Sequence, residues 1–505
     1  MAVILLQAGT VLAHEGDRIK VLRDHDILIV GNQIEDIGQG LTLPDECGAR
    51  VIDCQGKIIS PGFIDTHHHL WQSQMRGRFG NMKFMDYMVA GNMQSFNYTP
   101  EDIFWGQLAG CQESIHAGVT TVVDHAHLTY SPEHATEAIR ASASSGLRTF
   151  FCYTPIWRIK NWASDAAIEF DEDLLPEWWL STLDILARTA PFGEGRVRLG
   201  LGFDFFKLPK ETVQNLWAKC RALGINLFTT HYVANYMKSA LIPSIILVKY
   251  LNVPICSQIF LDSVSLLKEY DLLNSTILFS HINGIAESDA QTLLAHGAHF
   301  SSTPETELQM GLGEPVAFNP DLSSNASIGI DCHSNNSSDI LTQLRLGMQH
   351  ARGVQNVQAI KNGEYPSVTI KVEEMFNLGT IQGARAVNMA DKIGSIEVGK
   401  LADIVIFDAS SPGMVCAAEE DPLAAVLLHA NVGDIEVVIV DGVVRKECGE
   451  LVDVQLLSDI HGTPGEMVHQ RDISKRLLES RERIIERGRG QDAGRGMEFL
   501  YKTFG

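Results

Sequence analysis

Between residues 58 and 392 the chain alternates short apolar runs with longer segments in which apolar residues recur at helical spacing. The apolar runs are rich in β-branched and aromatic residues, which favour strands. Eight such runs are present: Ile58–His67, Thr120–Asp124, Arg148–Tyr153, Val197–Phe203, Ile225–Thr230, Thr276–Ser280, Ala298–Ser302 and Ala326–Asp331. Eight strand–helix units in succession predict a (β/α)8 TIM-like barrel, an α/β fold whose functional groups lie at the carboxyl ends of its strands.

The two ends of the chain carry a different pattern. Residues 1–57 and residues 393–452 each alternate short β-like runs with glycine turns. Neither segment can bury a sheet face by itself, so we expect the two to pair as one small β-sandwich, with the barrel of residues 58–392 inserted between them. The tail, residues 453–505, contains apolar residues at helical spacing over Asp472–Arg487, which predicts an amphipathic helix. We expect this helix to dock on its own barrel, with a subunit interface as the alternative.

Two of the predicted strand–helix loops are long. Phe79–Tyr98, after the first strand, carries four methionines, and Pro155–Leu180, after the third, carries four of the seven tryptophans. Loops at this end of a barrel cover its mouth, so both are candidate lids. If their apolar side chains line a pocket, the substrate is flat and largely apolar. The alternative is that they pack the loops onto the barrel rim.

Composition narrows the class of protein. The 505 residues accommodate a barrel of roughly 250 residues or more and a smaller partner. Hydrophobic residues make up 45% of the chain and charged residues 20%, so a large core can be buried. The formal net charge of -22 argues against nucleic acid or an anionic membrane as a partner.

The cysteines and the apolar runs indicate a compartment. Nine cysteines are scattered without a Cys-x-x-Cys pair, which suits reduced thiols rather than a disulfide framework. No apolar run approaches the ~20 residues of a membrane helix, and the first residues lack the basic segment of a signal peptide. We therefore expect a cytoplasmic protein that acts on a small molecule and forms a homo-oligomer, specifically a dimer.

Three consecutive histidines follow the first predicted barrel strand, within Pro61–Gly77. Alternate side chains of a strand share a face, so His67 and His69 can point at one metal ion while His68 points away. A chance polyhistidine patch is the alternative, but such a patch would not normally end an apolar strand. Further candidate ligands follow other strands: His231 after the fifth, His281 after the sixth and Asp331 after the eighth.

These motifs resemble those of the amidohydrolase superfamily. Its first-strand pattern PGxIDxHxH corresponds to Pro61–His69, and its closing pattern GxxxxGxxADxxxxD to Gly394–Asp408. The extension His69-Leu-Trp-Gln72 is similar to that of the cytosine and guanine deaminases and triazine chlorohydrolases. The resemblance implies one divalent ion, zinc or alternatively iron, that carries an activated water. The implied metal ligands are His67, His69, His231 and Asp331.

The resemblance also implies roles for other side chains. His281 is expected beside the activated water or a substrate oxygen, and Asp331 is expected to accept the proton of the attacking water. The substrate-binding candidates are Gln72, His125, Trp157 and Asn336. A second metal ion, held by a carboxylated lysine after the fourth strand, is not expected, because Lys207 comes late in that segment.

Two positions depart from the deaminase pattern. The family motif HxxE, whose glutamate delivers a proton to the leaving amine, is here His231-Tyr-Val-Ala234. After the seventh strand, the usual Pro-x-Ser-Asn is replaced by a segment with Glu305 and Glu307. Either carboxylate could replace the missing acid or bind an NH-bearing substrate group, with Glu305 slightly preferred. The alternative is that both are solvated loop charges.

The sequence therefore predicts a metal-dependent hydrolase in which water attacks a C–N bond of a heterocyclic amidine, lactam or amide, as in deaminases. One alternative is a non-hydrolytic elimination, decarboxylation or ring rearrangement on the same scaffold, because the acid at position 234 is missing. A second alternative is a non-catalytic barrel, against which the complete set of metal ligands speaks.

Overall fold

The computed structural model describes residues 2–43, 48–162, 168–234, 263–496 and 498. Cys47, Cys256 and parts of the third-strand loop and of the tail lie outside these residues. The described strands are β1 Val3–Glu15, β2 Arg18–Val30, β3 Gln33–Gly38, β4 Arg50–Asp53, β5 Lys57–Pro61, β6 Phe63–His68, β7 Val119–Ala126, β8 Arg148–Tyr153, β9 Ile159–Asn161, β10 Glu169–Phe170, β11 Val197–Gly202, β12 Phe228–Val233, β13 Ile277–Asn283, β14 His299–Ser302, β15 Ala326–Ile328, β16 Ile404–Asp408, β17 Ile435–Val440, β18 Val443–Glu447, β19 Glu450–Leu451, β20 Val454–Leu457 and β21 Pro464–Val468.

The described α-helices are α1 Phe84–Ala90, α2 Pro100–His116, α3 Pro132–Ser145, α4 Glu177–Thr189, α5 Lys210–Ala222, α6 Ser263–Glu269, α7 Glu287–Ala295, α8 Pro304–Gln309, α9 Ile340–Lys361, α10 Val372–Leu378, α11 Ile381–Ala386, α12 Val415–Glu420, α13 Pro422–Ala424 and α14 Gln470–Arg487. Short 3₁₀ helices span Leu70–Met75, Asn92–Asn97, Val316–Phe318, Ser323–Asn325 and Val432–Asp434, and a π-helical turn spans Ala425–His429.

Eight parallel strands form the barrel, in the order β6, β7, β8, β11, β12, β13, β14, β15. A parallel bridge between His68 and Asp331 joins its first and last segments, and the backbone N–H of Asp331 donates to the carbonyl of His67. The predicted (β/α)8 barrel is confirmed. Its closure brings the end of the first strand beside the segment that follows the last one, which is where the histidine motif and Asp331 lie.

The predicted first strand, Ile58–His67, is two strands in two different sheets. Residues of β5 pair with β1 and β16, whereas β6 pairs with β7 of the barrel. The chain crosses between the sheets at Gly62, where a Cβ atom would lie 2.2 Å from the Thr120 Oγ1 atom. The apolar pattern does not change at this point because both strands are buried, and the local signal of the boundary is the Pro61-Gly62 pair.

A second, nine-stranded sheet combines both ends of the chain. Its order is β19, β18, β17, β16, β5, β1, β2, β3, with β4 paired to β1. The N-terminal strands meet the C-terminal ones where β5 runs antiparallel to β16. Apolar side chains of both ends form a core of their own, separate from that of the barrel. Buried ion pairs of Arg148 with Asp403 and Asp441 connect this sheet to the barrel.

The tail helix α14 covers the region predicted to be helical and packs on α2 of the same barrel. Ile473 and Ile484 are buried in that contact, and Ser480 Oγ donates to the Asp102 carboxylate at 2.7 Å. The prediction that this helix docks on its own barrel is confirmed. Among the helices that the structure describes, none is both long and apolar enough to cross a membrane.

Candidate active site

Two histidines of the first barrel strand meet an aspartate of the eighth at the barrel mouth. The Nε2 atoms of His67 and His69 lie 3.4 Å and 3.2 Å from the Asp331 Oδ1 atom. His68 points the other way, as strand alternation requires, and its Nδ1 lies 2.6 Å from Asp65 Oδ2. The structure therefore shows the predicted side-chain directions, with His67 and His69 on one side of the strand and His68 on the other.

His231 and His281, at the ends of β12 and β13, complete the cluster. Ligand atoms of His67, His231 and His281 all lie within 4.8 Å of one another, as do those of His67, His69 and Asp331. The backbone of His281 and Asp331 is left-handed, with φ of 76° and 65°. Such strained conformations are typical of functional sites.

Each of three imidazoles is held by its Nδ1 atom, which leaves Nε2 facing the cluster. His67 Nδ1 lies 2.8 Å from Ser280 Oγ, and His69 Nδ1 donates to the backbone carbonyl of His125 at 2.9 Å. His231 Nδ1 lies 2.9 Å from Asp204 Oδ2. The buried His67 Nε2 atom has no protein hydrogen-bond partner. Partners of this kind fix the tautomer of metal-binding histidines, so the donor set fits a divalent ion that prefers nitrogen and oxygen ligands.

The protonation states of His67 and Asp331 also suit the binding of a metal ion. Burial, reinforced by His69 and His231, lowers the pKa of His67 well below its usual value, so its imidazole is neutral. Burial alone would raise the pKa of Asp331, but the adjacent imidazoles of His67 and His69 hold that pKa well below its usual range. Neutral imidazoles and an ionised carboxylate are the protonation states in which these groups bind a metal.

Asp204 is a functional residue that the sequence reasoning missed. It follows β11 directly and accepts hydrogen bonds from the backbone N–H of His231 at 2.9 Å and from Thr230 Oγ1 at 3.1 Å. An acidic residue inside the aromatic run Phe203–Phe206, at a strand end, was the available signal. Lys207 is exposed and does not line the cavity, so the described residues do not place a bridging lysine at the cluster.

A buried row of hydrogen-bonded polar side chains packs against the first barrel strand on the side that His68 faces. His68 Nε2 lies 2.6 Å from His333 Nδ1, and His333 Nε2 lies 3.1 Å from Ser73 Oγ. At the other end, Asp65 Oδ1 accepts hydrogen bonds from the backbone N–H groups of His67 and Ile330. These hydrogen bonds fix the backbone of the first strand and of the segment after the last strand, where the barrel closes.

A cavity of about 250 Å³ opens onto the cluster. Both long loops contribute to its walls, so their apolar side chains line a pocket rather than only packing the rim. The methionines that line it are Met85, Met88, Met93 and Met310, and the aromatic residues are Phe84, Tyr87, Tyr130, Trp157, Phe170 and Phe205. Of the four loop tryptophans, Trp157 reaches the cavity, whereas Trp162 and Trp179 are buried elsewhere. Among the described lining residues there is no lysine or arginine.

The two strand-seven glutamates point in different directions. Pro304–Gln309 is helical, so residues two apart lie about 200° apart around the axis. Glu307 Oε1 lies 3.4 Å from His281 Nδ1 and accepts the backbone N–H of Thr303 at 3.0 Å. The Glu305 carboxylate instead accepts from Gln343 Nε2 at 2.7 Å and does not line the cavity. The preference for Glu305 over Glu307 is therefore corrected.

Three predicted substrate-binding side chains do not line the cavity. The Gln72 amide is bonded to Tyr87 and Ser334. His125 is buried with its Nδ1 2.8 Å from Thr229 Oγ1. Asn336 accepts from Thr306 Oγ1 at 3.3 Å. Gln72 and Asn336 lie outside the strands, so strand periodicity carried no information about their directions, whereas His125 lies on β7 and faces Thr229 of β12.

A buried cluster of imidazoles and one carboxylate at the mouth of a TIM-type barrel defines a class of metal-dependent barrel hydrolases. The chain belongs to the Amidohydrolase family, whose model matches residues 58–184 and 263–445. It is therefore a hydrolase of carbon–nitrogen bonds, as the motifs predicted, and the family is metal-dependent.

Three similar proteins illustrate the relationship. The chain is 25% identical over 465 residues to a 5-methylthioadenosine/S-adenosylhomocysteine deaminase of Pyrococcus abyssi, covering 89% of this chain and 95% of the relative. Its fold is similar to that of an adenosine deaminase from Xanthomonas campestris with bound zinc, at a TM-score of 0.73, 18% identity and coverage of 96% and 98%. It is also similar to the zinc complex of an atrazine chlorohydrolase from Arthrobacter aurescens, at a TM-score of 0.73, 20% identity and coverage of 95% and 100%. The predicted deaminase and chlorohydrolase branch is confirmed.

Proposed function

We propose that this protein is a zinc-dependent aminohydrolase that converts an amino-substituted aromatic heterocycle into its oxo form and releases ammonia. The observation that carries the proposal is that ligand atoms of His67, His69 and Asp331 lie within 4.8 Å of one another, as do those of His67, His231 and His281, beside a cavity with apolar and aromatic walls. The substrate is a small molecule, because the cavity beside the cluster has a volume of about 250 Å³.

The metal ligands would be His67, His69, His231 and Asp331, with one ion per chain. Zinc is proposed because these nitrogen and oxygen donors suit it and because two similar structures contain it. Bound there, the ion would supply a Lewis acid that lowers the pKa of a water molecule toward ~7.

The side chains around the cluster would handle the protons. The ionised Asp331 carboxylate accepts the proton of the attacking water. His281 Nε2 lies 4.0 Å from Asp331 Oδ2, so it can donate a hydrogen bond to the oxygen that is being added to the ring. The C–N bond then breaks, and the amine leaves as ammonia with the proton that Asp331 took from the water.

Delivery of that proton needs an acid other than residue 234. Ala234 is buried at the end of β12 and has no proton to give. Glu307 lies behind His281, on the side away from Asp331, and burial raises the pKa of its carboxyl. We assign Glu307 as a positioning residue that orients His281, because its Oε1 atom lies 3.4 Å from His281 Nδ1. Glu305 has no comparable contact.

The cavity walls suggest the kind of substrate. Methionine and aromatic side chains favour flat, neutral rings with apolar substituents. A carboxylate or phosphate on the substrate would find no cationic partner among the described lining residues. Two of the three similar proteins are named as deaminases of adenosine or of adenosine derivatives, so we propose a neutral aminopurine nucleoside of the methylthioadenosine type rather than one that carries an amino acid.

A direct test is a screen of the zinc-loaded enzyme. The panel should contain 5′-methylthioadenosine, 5′-deoxyadenosine, S-adenosylhomocysteine, guanine and an aminotriazine, with ammonia release and the ultraviolet spectrum as readouts. We expect ammonia from a neutral member of the panel. Absence of ammonia from every compound, with zinc bound, would contradict the proposal.

Ala234 also keeps a second candidate open, a metal-dependent elimination, decarboxylation or ring rearrangement. Such a reaction needs no acid for a leaving amine. Mass spectrometry separates the two: hydrolytic deamination adds about one mass unit to the organic product, whereas an isomerisation leaves the mass unchanged and an elimination or decarboxylation lowers it.

We also propose that the protein is a cytoplasmic homodimer. The seven described cysteines are all free thiols. The second half of α9 exposes three valine and isoleucine side chains, Val354, Val357 and Ile360, which a second subunit could cover. Light scattering of the purified protein would give the oligomeric state, and a monomeric mass at micromolar concentration would contradict the dimer.

A further inference from the structure

The amide of Gln72 is fully used inside the protein. Its Nε2 donates to the Tyr87 hydroxyl at 2.6 Å, and its Oε1 accepts from Ser334 Oγ at 2.7 Å. The side chain is completely buried and does not line the cavity. Gln72 therefore has no remaining polar atom to offer a substrate, and the group that it supports is Tyr87.

Tyr87 lies where the lid meets the metal-binding cluster. It belongs to α1 and lines the cavity. Its ring packs edge-on against Phe79, with centroids 5.1 Å apart. Its hydroxyl lies 3.0 Å from Cys332 Sγ, and that thiol lies 3.3 Å from Asp331 Oδ1. The Cys332 side chain thus lies between the Tyr87 hydroxyl and the Asp331 carboxylate.

The hydrogen bond between Gln72 and Tyr87 has a defined direction. An amide Nε2 can only donate, so the Tyr87 oxygen accepts from Gln72 and its own hydrogen points elsewhere. That hydrogen is then available to Cys332 Sγ, which lies 3.0 Å away and is a weak acceptor. Burial, reinforced by Cys332 and Asp331, raises the pKa of Tyr87 well above its usual value, so the phenol keeps its proton. A ligand atom with a stronger lone pair would attract this hydrogen away from the thiol.

We propose that Tyr87 is a catalytic residue that donates a hydrogen bond to the ring nitrogen next to the attacked carbon, and that Gln72 is a positioning residue acting through Tyr87. The inference rests on the proposed function. When water adds to the carbon of a ring amidine, the electron pair of the C=N bond moves onto that nitrogen, and a donor aimed at it is stronger in the transition state than in the ground state. Tyr87 transfers no proton in this step and is unchanged at its end.

The decisive variant is Tyr87→Phe, which keeps the ring and removes the hydroxyl. Loss of one donor to a developing negative charge lowers kcat by about 10²- to 10³-fold, and we expect that loss with bound zinc and melting temperature unchanged. The matched control is Tyr98→Phe. Tyr98 is also buried, packs against Trp71 with centroids 5.0 Å apart, and does not line the cavity, so its loss should leave kcat at the wild-type value.

A double-mutant cycle tests the role of Gln72. Gln72→Met has a similar volume, and we expect it to lower kcat in the wild-type background but not in the Tyr87→Phe background. Equal effects of Gln72→Met in both backgrounds would show that the glutamine acts through packing, which overturns its positioning role. An unchanged kcat in Tyr87→Phe overturns the catalytic role.

A binding measurement separates this inference from the proposed function. Calorimetry with unsubstituted purine riboside, which has the ring nitrogens but no leaving amine, reports the hydrogen bond without turnover. If the wild type releases ammonia and Tyr87→Phe matches it in kcat and in Kd for purine riboside, Tyr87 is excluded and the deaminase stands. If no compound yields ammonia but Tyr87→Phe still weakens purine riboside binding at least tenfold, the deaminase fails and the contact stands. No purine riboside binding by the wild type overturns both.

Discussion

The Asp204 carboxylate lies 2.9 Å from Nδ1 of His231 and accepts the backbone N–H of the same residue at 2.9 Å. Two strand ends are thereby fixed to each other at the barrel mouth. Burial alone would raise the pKa of Asp204, but His231 and His125 hold it well below its usual range, so the carboxylate is ionised. An ionised partner on Nδ1 orients the imidazole and makes Nε2 a stronger ligand.

Asp204→Asn should weaken zinc binding by about 10- to 100-fold, which is typical for loss of a partner that orients a metal ligand. The affinity is measured by competition with a chromogenic chelator. Asp184→Asn is the matched control, since Asp184 pairs with Lys219 on the surface. Unchanged affinity in Asp204→Asn would show that Asp204 does not support a metal ligand.

His231→Ala should remove the bound ion and all activity, because it deletes one of four proposed ligands. Elemental analysis of the wild type should give one equivalent of a divalent metal per chain. His461→Ala, at an exposed turn, serves as the control and should keep both metal and activity. Two equivalents in the wild type would contradict a single-ion site.

Glu307→Gln should keep the metal and the fold but lower kcat by about 10²- to 10⁴-fold, the usual contribution of acid–base catalysis. The reason is that His281 loses the carboxylate 3.4 Å from its Nδ1. Glu305→Gln makes the same change two residues away and should leave kcat near the wild-type value. A larger loss of kcat in Glu305→Gln than in Glu307→Gln would assign the positioning role to Glu305 instead.

Glu305 gives a prediction about stability. Burial, with a contribution from Asp339, raises its pKa to about 7 from 4.5. A raised carboxyl pKa contributes stability that is fully present below pH 4.5 and is lost as the pH rises through 7. Glu305→Gln should therefore stabilise the protein at pH 8 by on the order of 2 kcal/mol, allowing for partial exposure, with a much smaller effect at pH 5. Urea unfolding at both pH values measures this. A difference independent of pH would contradict it.

Trp157→Ala should raise KM or change substrate preference while the metal stays bound. The indole lines the cavity and packs against Phe170 with centroids 4.9 Å apart. Loops at the top of a barrel shape the pocket over fixed chemistry. The control is Trp179→Phe, which conserves a ring stacked on Tyr153 away from the cavity. Loss of zinc in Trp157→Ala would show a structural role instead.

Part of this protein was determined by local sequence. The eight barrel strands were predictable because β-branched and aromatic runs favour strands wherever they occur. The alternation of His67 and His69 about His68 followed from strand geometry alone. His231, His281 and Asp331 came to the same place because the carboxyl ends of parallel strands in a closed barrel share one edge.

The tertiary structure decided the rest. The boundary at Gly62 separates two strands that are equally apolar, so only their pairing partners distinguish them. The helical turn that separates Glu305 from Glu307 and the lid helix that places Tyr87 over Gln72 both lie in loops. A strand's side-chain directions are set by its own period, whereas a loop's directions are set by contacts with distant residues. For that reason the candidate metal ligands were evident in the sequence, whereas of the side chains predicted to bind substrate only Trp157 lines the cavity.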